Sequence, residues 1–429
     1  MRVKLFVPLL LIAIVFTVTT KANNKAETLA RQAVSNNTNE SATAIANLRS
    51  MGAEGLRALI ETYSADIARY METGKQTPQW LKIAKALDAV AMQKDSYASR
   101  LFWHTDFEAA KAEAGRSGKP ILSLRLLGNL NEEFSCANSR FFRSVLYAND
   151  EVSRIMRERF VLHWKSVRPA PKITIDFGDG RKIERTITGN SIHYILDSNG
   201  QAIDALPGLN GPAAFTRWLV NTEQFSNQLK GKSFVDRVIA METFHRSRIN
   251  QITNEWANDM EKAGVKSPKE IAAKRGKNPT AMEAAPLALT KRAIEIDILK
   301  QITADASVLE ANTNLDDWKK IAALHGGDAK LDKNSVAMIR RQTMKNDEGQ
   351  FSKLINNLEG FIALDTVRNQ YLLRTKLHAW FVTGEGNDFD RLNEKVYAQL
   401  FLTPGTDPWL GLYSPDTYTA IDGGGIVKP

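Results

Sequence analysis

The chain of 429 residues holds a single cysteine, Cys136. No internal disulfide can form, so folding relies on buried apolar surface, which a chain of this length can gather into more than one core. A second cysteine at C-x-x-C spacing is missing, and this excludes a dithiol–disulfide cycle carried by one chain. There is no C-x-x-C-H haem attachment site, no phosphate-binding P-loop and no G-x-S-x-G nucleophile turn. The six histidines are His104, His163, His193, His245, His325 and His378, and none forms a metal-ligand spacing in sequence with another or with Cys136. Charge of one sign is in only modest excess, with 57 Lys and Arg against 48 Asp and Glu dispersed along the chain. That balance does not argue for nucleic acid as a partner.

Long hydrophobic runs are equally scarce. The one extended run, Leu5 to Val18, is broken by Pro8 and Thr17 and follows Arg2 and Lys4. It is short for a membrane span, and Thr20 and Ala22 suit the small-residue positions before a cleavage site. Residues 1–22 are therefore expected to be a signal peptide, with export to a periplasmic or extracellular space and no stable membrane span after cleavage. Cleavage near Ala22 removes three bases and no acids. An exported free thiol is unusual, because oxidising compartments trap exposed thiols.

What is present divides into three parts. Residues 23–100 read as helical: Ala42 to Tyr63 carries two short helical patterns split at Gly52, and a further helix is expected after Pro78, with Ile83, Leu87, Val90 and Ala91 on one face. The segment AIANLRSMGAEGLRALIE resembles one helical hairpin of the HEAT kind, although one copy of a repeat cannot bury a core. Residues 101–222 mix helices and strands. Phe107 to Gly115 reads as a helix, ILSLRLL as a strand ending at Gly128, and Phe160 to Val167 as another. Ile173, Ile175, Phe177, Ile183 and Ile187 alternate around Asp179-Gly180 as a hairpin does, Ile192 to Leu196 is strand-like before Asn199-Gly200, and Pro212 to Leu219 is a closing helix. Residues 223–429 read as helical, with an exposed connection over Lys262–Pro279. An irregular tail begins at Pro404, and no strand and helix flank Gly423-Gly424-Gly425 as an anion-cradling loop requires. The dispersed tryptophans, among them Trp256, Trp318, Trp380 and Trp409, read as core packing.

The segment SCANSRFFRSVLYANDEVSRIMRERFV resembles thioredoxin-like families, whose pattern is C-x-x-C, a helix, an acid–valine step and a closing F-V strand. Cys136 falls on the first cysteine and Ser139 on the second. Asp150-Glu151-Val152 and Phe160-Val161 match the later parts of the pattern. AKAEAGRSGKPILSL upstream resembles the A-x-x-x-G-K-P-I entry of the same families, and GNSIHYILDSNG downstream resembles their G-x-P-hydrophobic strand that ends in a D-G or N-G turn. The resemblance covers residues 103 to 220. It implies an α/β thioredoxin-like domain, a mixed sheet flanked by helices, embedded between α-helical N- and C-terminal regions. Ser191 stands where the family has its cis-proline, and a trans bond is expected there because a non-proline cis bond costs about 3 kcal/mol.

The same resemblance places Cys136 at a helix N-terminus, where free N–H groups favour a thiolate. Ser139 one turn on can donate a hydrogen bond, Arg140 and Arg143 add positive charge, and Ser191 and His193 belong to the loop that faces the cysteine. His193 is then a candidate base for the thiol. Cys136 and Ser139 are the candidate catalytic pair, for monothiol disulfide exchange or redox sensing. The competing reading is an inert buried thiol, since free cysteine is among the most buried residue types. There the domain is a scaffold, and with its helical flanks it forms a surface for a protein partner. Neither reading calls for a cofactor or a metal, and oligomeric state is open.

Overall fold

The computed structural model describes residues 24–266, 279–302, 315–343, 347–413 and 420–427. The expected signal peptide and most of the Lys262–Pro279 connection lie outside the described residues. The chain divides into two compact units, Met1–Trp103 and His104–Pro429.

The first unit is helical. Residues 24–33 are followed by helices Thr38–Ser50, Ala53–Thr62, Ser64–Thr73, Pro78–Ala91 and the single turn Ser96–Ser99. Their starts are written in the sequence. The Asn37 side chain accepts from the Asn39 and Glu40 backbone amides, and Thr77 accepts from Trp80 ahead of a proline at the first helical position. The hairpin expected around Gly52 forms, and its tight crossing depends on Gly55, where an added Cβ would stand 2.0 Å from the Leu48 carbonyl oxygen. Leu48, Leu56, Leu59, Ile83 and Leu87 are fully or almost fully buried. Trp80 stacks on Tyr70 at 4.0 Å and meets the edge of Tyr97 at 5.3 Å.

The second unit is built on a small mixed sheet. The strands are β1 (Ile121–Leu127), β2 (Val161–Arg168), β3 (Lys172–Asp176), β4 (Lys182–Thr186), β5 (Ile192–Leu196) and β6 (Ala202–Pro207). The four-stranded sheet has the order β2-β1-β5-β6, and β3 pairs with β4 in a separate hairpin. β1 runs parallel to β2, with Ile121 opposite Val161 and Leu124 opposite Trp164, and antiparallel to β5, with Leu122 opposite Ile195. β5 and β6 are antiparallel, with Tyr194 opposite Ala205. The parallel β1–β2 step needs a crossover, which the chain supplies as helices Ala137–Phe141 and Asp150–Arg159. β1, β5 and β6 are buried along their whole length. β6 is an edge in the pairing order, yet it is covered by the later helices, and this hides its unpaired backbone groups.

Around the sheet lie helices Phe107–Ser117, Pro212–Leu229 and Phe234–Ala263, and then Leu289–Ile302, Asp316–Leu324, Lys333–Gln342, Glu348–Arg368, Thr375–Val382 and Phe389–Lys395. Three helical stretches pass through π-helical turns: Phe142–Leu146, Asn369–Arg374 and Val396–Leu400. The three strand segments expected in one sheet are there. The helix expected to stop at Gly115 runs to Ser117, because it is Gly118 that adopts the left-handed conformation and donates its N–H to Ala114. The closing helix runs through to Leu229, so the 222/223 division falls inside it. β6 was not foreseen. The tail residues Asp422–Gly425 form one 3-10 turn. No helix among the described residues is long and apolar enough to cross a membrane.

Candidate functional site

Gly128, at φ +73°, turns the chain after β1, and the Cys136 amide donates back to the Leu127 carbonyl at 3.0 Å. Cys136 is the N-cap residue of helix Ala137–Phe141. Its side chain is wholly buried. The sulfur lies 3.0 Å from Ser191 Oγ and 3.6 Å from Ser139 Oγ. Ser139 Oγ in turn lies 2.7 Å from Ser135 Oγ and 2.8 Å from the Cys136 carbonyl oxygen. One thiol thus sits among three serine hydroxyls, all in residues with no exposed surface.

The facing loop is pinned from several sides. Asn138 donates to the Asn190 side chain, whose oxygen also accepts the Ser191 amide at 2.9 Å. Tyr397 donates its hydroxyl to the Asn190 carbonyl at 2.9 Å. Gly189, at φ +83°, brings the loop against the strand end: an added Cβ would stand 2.9 Å from Leu127 Cδ2 and 3.4 Å from Cys136 Cβ. No peptide bond among the described residues is cis, Ser191 included.

Helix Leu289–Ile302 closes over this loop. Lys291 Nζ donates to the Gly189 carbonyl at 2.9 Å, and the Thr188 amide donates to Glu295 Oε2 at 3.0 Å. Lys291 and Glu295 are 3.9 Å apart, both almost fully buried. Burial pushes the Glu295 carboxyl up to about 7, against the pull of Lys291, the Thr188 amide and Arg140.

The remaining expected residues fall as follows. Arg140 is half-buried, and desolvation lowers its pKa, with the nearby Cys136 and Glu295 opposing that shift. Arg143 is buried and points to the loop before the helix, donating to the Leu130 and Glu132 carbonyls at 3.3 and 2.7 Å. His193 places Nε2 2.7 Å from the Tyr147 hydroxyl, and its ring packs 4.6 Å from Phe142 and 5.0 Å from Phe215. Burial drives its pKa down to about 3, so it is neutral, and no hydrogen bond joins it to Cys136 among the described residues. Cys136, Ser139 and Ser191 are therefore brought together, and His193 is engaged elsewhere. The sequence reading missed Asn138, Asn190, Lys291, Glu295 and Tyr397. The Lys291–Glu295 spacing of four was visible, but it is also the spacing of a solvated surface pair.

A second polar cluster lies in the same unit. Asp204 on β6, His245 and His378 each bring one donor atom within 4.8 Å of the others, all buried. The carboxylate is already committed. Asp204 Oδ2 accepts from Trp218 Nε1 at 2.9 Å and Arg374 Nη2 at 3.2 Å, and Oδ1 accepts the Ala205 amide at 2.8 Å. His245 and His378 share a hydrogen bond between their Nδ1 atoms at 2.8 Å. With the Arg374 guanidinium on its carboxylate, this cluster is a poor receptor for a dication, and its charge is balanced without one. No family model matches the sequence, and no curated protein or solved structure is significantly similar to it.

Proposed function

We propose that residues 101–222 are a degenerate thioredoxin-like domain, and that the chain is a protein-binding scaffold in which Cys136 is a core hydrogen-bonding group. The observation that carries this reading is the complete burial of Cys136 beneath the loop that Lys291 and Glu295 hold down. A thiol exchanges with a client disulfide only by in-line contact of sulfur with sulfur, and a buried one has no approach. Support for the domain assignment comes from the β2-β1-β5-β6 order, from the cysteine at the start of the helix after β1, and from Ser191 opposite it.

The partner surface in this proposal is apolar and local. Phe234, Val235, Val238 and Ile239 are exposed on the first two turns of the long helix, Phe234 by 79 %. The β3–β4 hairpin exposes Ile175, Phe177 and Ile183. Contiguous exposed apolar side chains of this kind mark interaction surfaces more often than isolated ones do. Export, expected from the Leu5 to Val18 run, belongs to the same proposal, and a mature N-terminus near Asn23 by mass spectrometry tests it.

The test of the scaffold reading compares wild type with Cys136→Ala in non-reducing capture of partners from an exported-protein extract. An identical partner set is expected, together with no turnover in an insulin-type disulfide-reduction assay. Partners held only by wild type, and released by a reductant, would instead establish thiol exchange.

A further inference from the structure

Three helices of the second unit turn polar rows toward one another where an apolar seam would be more stable. Helix Pro212–Leu229 presents Arg217, Trp218 and Thr222. Helix Phe234–Ala263 presents Arg248, Gln251 and Glu255, and Glu348–Arg368 with its π-helical extension presents Gln370, Tyr371 and Arg374. With Ala214 and Asn221 on the first helix and Val367 on the third, the lining positions recur every three or four residues, so each set is one face of its helix. Between them, and against Asp204 at the sheet, lies a cavity of about 150 Å³. A cavity of this volume takes a ligand of about six non-hydrogen atoms, as benzene fills one of about 150 Å³. Gln251 and Asn221 are exposed at its rim, and the cavity opens to solvent there.

The charges in the lining are matched internally. Arg217 binds Asp328 through two bonds of 2.7 Å, and Arg374 Nη2 lies 3.2 Å from Asp204 Oδ2. His325 lies 2.5 Å from Asp259, which also accepts the Tyr371 hydroxyl. Arg248 and Glu255 are joined through Gln251, which accepts from the first and donates to the second, each at 2.7 Å. A ligand with net charge would find no free counter-charge among these pairs. What the lining still offers is hydrogen bonding. Arg374, nine-tenths buried, has an Nε–H with no acceptor. Around it stand side-chain amides and hydroxyls, which donate and accept at once. Burying a polar group without a partner costs free energy, so such a cavity is kept at the expense of stability. The π-helical turn Asn369–Arg374 brings Tyr371 and Arg374 to it, and such turns recur at functional sites.

We infer that this cavity is a binding site for a small neutral polyhydroxylated molecule, of the size of a short polyol, with a larger ring reaching out through the opening at Gln251 and Asn221. Its oxygens accept from Arg374 Nε–H and its hydroxyls exchange hydrogen bonds with Gln251, Gln370 and Thr222. The inference stands apart from the Cys136 site and does not depend on the scaffold reading.

Isothermal titration of the folded full chain with glycerol, D-xylose, D-glucose and myo-inositol tests it, with acetate and inorganic phosphate as charged controls. Saturable binding of at least one of the four polyols is expected below about 50 mM, weakened at least about tenfold by Gln251→Leu and by the cavity-filling Ala214→Leu. Both substitutions are at incompletely buried positions; Ala214→Leu leaves every polar contact of the lining in place, Gln251→Leu removes the bridge between Arg248 and Glu255 but keeps the direct ion pairs, and circular dichroism checks that each variant is folded. No saturable polyol binding in wild type would overturn the inference. Affinity unchanged in both variants would place the polyol elsewhere, and preferential binding of phosphate or acetate would make the cavity an anion site. Either result also overturns it.

Discussion

Ser191 Oγ lies 3.0 Å from Cys136 Sγ, across 55 residues of sequence. The contact ties the helix start after β1 to the loop before β5, and the pair is sealed from solvent. A thiol is a weak donor and a weak acceptor, so the hydroxyl gains little from it in energy, yet it loses this sulfur neighbour if the cysteine is truncated.

This gives the first prediction. Cys136→Ala leaves the buried Ser191 hydroxyl short of a partner and opens a small void, and it should cost about 1–3 kcal/mol in urea unfolding. Cys136→Ser keeps a donor and acceptor at the same place and should cost less. A serine variant less stable than the alanine variant would mean that the pocket around the sulfur is effectively apolar.

Gly189 sets the second. At φ +83° a side chain is strained, and the added Cβ stands 2.9 Å from Leu127 Cδ2. Gly189→Ala should destabilise the protein by about 1–3 kcal/mol, with no change in the slope of the unfolding transition. Full retention of stability would show that the loop has another way to sit over Cys136.

The third concerns Asp204. It is 1 % exposed and faces the buried Arg374. Asp204→Asn removes the counter-charge and should cost about 3–5 kcal/mol, because breaking a buried pair strands the remaining ion. The double variant Asp204→Leu with Arg374→Leu should recover much of that loss. Equal instability of the single and double variants would assign the cost to Trp218 and the backbone amide, which also donate to the carboxylate.

Parts of this architecture were legible because they rest on local rules. The strand Ile192–Leu196 and the helix after Pro78 follow from an apolar run and from a capping threonine with proline. The cysteine and Ser139 could be placed one turn apart from spacing alone, and Ser191 could be set opposite only through the family pattern. β6 was not legible, since AIDALP pairs a short apolar run with an aspartate that reads as solvent-facing. Asp204 is buried because Arg374, 170 residues on, reaches it, and no window of sequence holds both. The same limit hid the lid over Cys136. Lys291 and Glu295 show the spacing of an exposed ion pair, and only the packing of their helix on Gly189 and Thr188 makes them interior.

Glu295 carries the last prediction. Its folded pKa of about 7 exceeds the ordinary glutamate value because burial outweighs the help of Lys291, the Thr188 amide and Arg140. Between the unfolded pKa near 4.5 and the folded one near 7, the unfolded chain gives up this proton while the folded chain keeps it. The folded state then binds more protons, so stability falls as pH rises through that window and stays lower above it. The effect of this one group is at most about 3 kcal/mol. Glu295→Gln keeps an oxygen for the Thr188 amide and leaves Lys291 on the Gly189 carbonyl, while removing the charge. Urea unfolding of wild type and variant at pH 5 and pH 8 isolates the term, because every other titrating group is common to both. The drop in stability from pH 5 to pH 8 should be smaller in the variant. An unchanged drop would mean that Glu295 ionises in the folded protein as it does in the unfolded one, and that the lid over the Cys136 loop is open to water.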